Sequence, residues 1–158
     1  MPSLNRTVNT ISLYISLDSR PSKGEKHWGI YVTDDQGKPT VHHASNRDGP
    51  WRYDAKFLDP ANSMTLIAMI KVSDIRSPHL VEHAIKSVPA NGSPSRRNGE
   101  TFTCRTWVKD ALVALHDNGA IVLPADIETM EKKSIQYDMR YCRTSESGGG
   151  ATVPNDAF

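Results

Sequence analysis

Cysteine and histidine are the residue types in this chain that can carry covalent chemistry near neutral pH. The positions that matter are Cys104 and, upstream of it, His27, His42 and His43. An imidazole can take the proton of a nearby thiol, and the resulting thiolate can attack a carbonyl and form an acyl-enzyme. Cys104 sits in the stretch Thr101-Phe102-Thr103-Cys104-Arg105-Thr106-Trp107-Val108. Thr101 or Thr103 predicts a helix N-cap. Val108, Ala111, Leu112 and Leu115 follow at the spacing of one helical face, and Gly119 marks the stop. Cys104 is thereby placed in a first helical turn, where unpaired N–H groups and the positive end of the helix dipole favour a thiolate. The alternative is a small buried hydrophobe. The other cysteine, Cys142, falls near the end of a predicted last helix, where the dipole disfavours a thiolate, and is read as non-catalytic.

The histidines need strands to position them. His27-Trp28-Gly29-Ile30-Tyr31-Val32 reads as a strand, and Pro39 to Ala44 as its hairpin partner across Asp34-Asp35-Gln36-Gly37. Alternation puts Trp28, Ile30 and Val32 on one face and His27, Gly29 and Tyr31 on the other. With Val41 on the core side, His42 shares the face of His27, and His43 points away. The two could interact, or both could be solvated strand residues. Tyr31 either lines a cleft on that face or packs there. Trp51, Tyr53 and Phe57 stand in an irregular polar stretch, Ser45 to Pro60. They form one wall of a cleft or cover the sheet edge.

Around these lie a strand from Val8 to Leu17 and another from Met64 to Val72. A helix opens at Ser77-Pro78, a Gly/Pro/Ser/Arg loop from Asn91 to Glu100 reads as the flexible segment before the Cys104 helix, and a final helix runs from Ala125 to about Cys142. The pattern predicts an α+β fold, an antiparallel sheet packed with helices, as one domain over residues 1–143. Residues 144–158 read as a flexible Gly/Ser-rich tail. A formal net charge of +1 gives no electrostatic case for nucleic acid. No apolar run approaches a membrane span, so no membrane anchor is expected. Two cysteines and no signal peptide suggest a reducing, cytoplasmic setting. His79-Leu80-Val81-Glu82-His83 has the H-x-x-E-H form of a zinc-peptidase helix. It offers no third ligand and is read as a solvated helix face, so neither metal nor cofactor is expected.

The order His27-Trp28-Gly29-Ile30-Tyr31-Val32, then Val41-His42-His43-Ala44, then Thr103-Cys104-Arg105-Thr106-Trp107-Val108 resembles the circularly permuted NlpC-type papain-like proteins, in particular their lecithin retinol acyltransferase-like branch. The resemblance spans about residues 26 to 115. It implies a permuted papain-like fold with Cys104 as nucleophile, His27 as general base and then acid, and His42 as the residue orienting His27. The branch commonly has Asn before the cysteine and an acidic residue after it, where this chain has Thr103 and Arg105. Its membrane-anchored members carry an apolar C-terminal segment, where this chain is polar. The expectation is a soluble cysteine hydrolase or acyltransferase acting on a small-molecule or peptide amide or thioester, with Tyr31, Trp51 and Tyr53 as substrate-binding candidates. The alternatives are a biosynthetic enzyme using the same fold for cyclisation, condensation or isomerisation, and a catalytically silent binding module.

Overall fold

A computed structural model of the chain describes residues 11–19, 26–34, 36, 38–57, 66–144 and 158. Five strands come first: β1 (Ser12–Ser19), β2 (Lys26–Thr33), β3 (Pro39–Ser45), β4 (Arg52–Phe57) and β5 (Leu66–Asp74). Three helices follow: α1 (Pro78–Ser87), α2 (Cys104–Asp117) and α3 (Ile127–Thr144). The strands form one antiparallel sheet in the order β4-β3-β2-β1-β5. The fold is α+β, with α2 flanked in sequence by a helix on either side.

The core follows the alternation of the strands. Leu13, Ile15 and Leu17 of β1, Trp28 and Ile30 of β2, and Ala68, Ile70 and Val72 of β5 meet Trp107, Val108, Ala111, Leu112 and Leu115 of α2. Each of the last five is shielded from water, and they fall on one helical stripe. A smaller cluster, Tyr31, Val41 and Met69 with Tyr14 against it, occupies the opposite sheet face. Val41 therefore does not join the helix-covered side. The sheet buries apolar side chains on both faces, so hydrophobicity alone does not say which way Val41 points.

Two segments differ from their sequence readings. Part of the stretch read as irregular, residues 52–57, is strand β4, which pairs with β3 from Thr40–Phe57 to Ser45–Arg52. It is a sheet edge with exposed Arg52, Ala55, Lys56 and Phe57. Such polar edge strands lack the apolar alternation that announces central ones. The loop before α2 is also well tied. Ser95 Oγ donates to Asp110, and Arg97 bonds both Asp110 and Glu128. Val8 to Thr10, Met64 and nearly all of the C-terminal tail lie outside the described residues. Phe158 is half-buried and packs on the main core.

Lys109 holds α2 to its surroundings. Its side chain is 2% exposed, and its ammonium bonds Glu100, Glu128 and Glu131 at 3.0–3.1 Å. Burial alone would lower its pKa, but hydrogen bonds to Glu128, Glu100 and Glu131 outweigh it and hold the ammonium above its ordinary range. Removing the cation leaves the carboxylates crowded together. Lys109→Met is expected to destabilise the fold by about 3 kcal/mol, lowering the melting temperature by roughly 10 °C in thermal denaturation.

Candidate functional site

The helix start is built as the threonines predicted. Thr103, in extended conformation, is the N-cap, and its hydroxyl accepts from Thr106 N–H at 3.1 Å. Cys104 is the first residue of α2, is 8% exposed and is not in a disulfide. Gly119 has φ of +85°, the left-handed stop that favours glycine.

The sulfur meets the sheet at one point. The ladder between β2 and β3 runs from Thr33–Pro39 to Ile30–His42 and ends there, although both strands continue. Beyond it, the Trp28 N–H donates to Cys104 Sγ at 3.4 Å. Strand N–H groups lie in the plane of the sheet. The thiol therefore lies against the β2 backbone beyond the end of that ladder, within the main core on the helix-covered side. The bond geometry keeps it within about 6 Å of the His27 Cα. A hydrogen bond donated to sulfur favours thiolate over thiol.

His27 precedes Trp28 on β2, so alternation turns its side chain to the face opposite the helices. Its Nε2 lies 2.7 Å from Nδ1 of His43, with the rings edge to face at 4.8 Å between centroids. His43 Nε2 lies 3.2 Å from Asp54 Oδ2 on β4. Ionised Asp54 can only accept, so His43 Nε2 donates. A neutral His43 then offers Nδ1 as acceptor, and His27 Nε2 donates to it. This leaves His27 Nδ1 as the nitrogen with a lone pair.

His42 is not part of this chain, which corrects the sequence expectation. It pairs across the ladder with Ile30 and so lies on the helix-covered face. Its Nδ1 is 2.7 Å from the Tyr53 hydroxyl. Burial lowers its pKa to about 4, against the pull of Glu82 and with added repulsion from His43 and Lys86, so it is neutral at pH 7. The register error came from placing Val41 in the main core. Asp54 was missed because its strand reads as a loop.

The aromatic candidates also lie elsewhere. Tyr31 is 1% exposed and packed with Val41 and Met69 on the far face. Trp51 lies edge to face on Phe102, and Tyr53 packs against Trp107. Both line a separate groove with Ile85, Lys86 and Pro89. They cover the helix–sheet seam, and none of the three lines the space around the thiol. That space is a cavity of about 340 Å³ lined by Leu17, Trp28, Thr103, Cys104, Arg105, Ile135 and Asp138. Neither Arg105 nor α3 had been considered as part of a binding surface. The adjacency of Arg105 to Cys104 was the available signal.

His79 and His83 are exposed, and Glu82 pairs with Lys86. Among the described residues no group of three or more His, Cys, Asp or Glu could hold a metal ion. No helix among them is long and apolar enough to cross a membrane. Cys142 lies near the end of α3.

Comparison with curated proteins and with solved structures returns no match. One family does match, over residues 13–122, a span that contains His27, His43, Asp54 and Cys104. On that match the chain belongs to the DUF6540 family, a family of unknown function.

Proposed function

We propose that the protein is a cysteine-dependent hydrolase or acyltransferase, acting in a reducing, cytoplasmic setting on an amide, peptide or thioester. The observation that carries this reading is the placement of Cys104 Sγ on the Trp28 N–H, one residue from the histidine that begins the His27–His43–Asp54 chain. The resemblance to permuted NlpC-type papain-like proteins points the same way, with His43 in the orienting position in place of His42.

In this mechanism His27 Nδ1 takes the thiol proton, giving a thiolate–imidazolium pair. The sulfur attacks the carbonyl carbon, and the carbonyl oxygen takes the electron pair. N–H groups of the first turn of α2 face the developing oxyanion. Collapse breaks the bond to the amine or thiol leaving group, which receives the proton from His27. Water, or an acceptor amine or alcohol, then gives its proton to His27 and attacks the thioester, releasing product and Cys104.

Alkylation tests the first step. Iodoacetamide is expected to label Cys104 at pH 6 far faster than it labels free cysteine, because a thiolate persists there, and His27→Ala is expected to abolish the advantage. Labelling of the wild type at the free-cysteine rate would remove the reading. Peptide mass mapping assigns the adduct.

A further inference from the structure

The cavity at Cys104 is walled by apolar Leu17, Trp28 and Ile135, with one guanidinium, Arg105, beside the thiol. Arg105 follows the nucleophile directly, so their Cα atoms are about 3.8 Å apart. Its Nε lies 3.0 Å from Glu131 Oε2, an ion pair to α3 by distance in which the Nε–H makes no aligned hydrogen bond. Glu131 is itself shared with the buried ammonium of Lys109. The carboxylate is thus divided between two cations, and the guanidinium keeps a positive edge. Among the described residues no hydrogen bond occupies the Arg105 Nη groups, and the side chain is 43% exposed. Two parallel donors on a planar edge match a carboxylate.

We infer that the Cys104 site takes an acyl substrate bearing a carboxylate within a few bonds of the scissile carbonyl, with Arg105 as the residue that binds it. This rests on the Cys104 reading above and names its substrate class. Asp138 also lines the cavity and repels an anion, so the carboxylate sits on the Arg105 side. The apolar walls take the hydrocarbon part of the acyl group.

A matched pair of reagents separates charge recognition from thiol reactivity. Iodoacetate and iodoacetamide both react by forming a sulfur–carbon bond to the methylene as iodide leaves with the bonding pair. They differ in a carboxylate against a neutral amide. Both rates are measured at pH 6 and low salt on the intact protein, with folding checked by circular dichroism. Arg105→Gln is expected to slow iodoacetate about tenfold more than it slows iodoacetamide, since loss of the cation beside the thiol slows both reagents but only iodoacetate also loses its carboxylate partner. Arg105→Lys keeps the charge but loses the fork, and is expected to recover part of the iodoacetate rate. Equal slowing of both reagents by Arg105→Gln, or slowing of neither, overturns the assignment. Slow iodoacetamide labelling of the wild type would instead remove the nucleophile reading, and the ratio between the reagents would still report on Arg105.

Discussion

His27→Ala is expected to lower turnover on an acyl substrate by at least about a thousandfold, nearly as far as Cys104→Ala. The reason lies in shared labour. Without the imidazole, the thiol loses the base that takes its proton on attack and returns one to the leaving group. Without the sulfur, the imidazole has no partner. Once either is gone the other contributes little, so the double variant is expected to be about as inactive as each single one. Additive losses would show that the two act in separate steps. The measurement is single-turnover kinetics with a chromogenic thioester, at several pH values. If His27→Ala keeps most of the wild-type rate, the acyl-transfer mechanism fails.

The second large effect divides the two neighbouring histidines. His43→Ala is expected to cost about a hundredfold in kcat, because His27 loses the acceptor that fixes its tautomer and ring angle. His43→Asn offers a side-chain oxygen to His27 Nε2 and is expected to recover part of the loss. His42→Ala is expected to leave the pH profile of kcat/KM unchanged and to act on stability instead. His42 also has its own pH signature. Its folded pKa of about 4 lies below the ordinary 6.5. Between those values the unfolded chain binds a proton that the folded chain does not. Stability therefore falls as pH drops from 6.5 to 4, and His42→Phe is expected to flatten that slope in denaturant titrations. Inactive, folded His42→Ala with active His43→Ala would reverse the assignment.

The sequence shows the helix at Cys104 clearly, because three local signals agree: the Thr103 cap, the apolar stripe from Val108 to Leu115, and Gly119. The strands bearing Ile11 to Leu17 and Trp28 to Val32 are equally legible from alternation. The face of His42 and His43 is not. In β3 both Val41 and Ala44 are buried, one on each face, so either register satisfies the hydrophobic pattern. Only the pairing of Ile30 with His42 decides. Asp54 stays hidden for a related reason: edge strand β4 is mostly exposed, and its Arg52, Asp54 and Lys56 read as loop. The cavity wall on α3 is beyond local reading altogether, since it depends on how a helix far along the chain docks beside Cys104.

That docking has an evolutionary consequence. Cys104, His27, His43 and Asp54 all fall inside the span shared with the family, residues 13–122. Ile135, Asp138 and Glu131, which line the cavity or hold Arg105 in place, fall outside it on α3. The α3 part of the wall is thus encoded apart from the apparatus that would break a bond, while Leu17, Trp28, Thr103 and Arg105 of the same wall lie inside the shared span. Changes at Ile135 or Asp138 would alter that wall without altering any residue of the reactive centre, whereas Glu128 and Glu131 of the same helix are tied to Lys109 of α2.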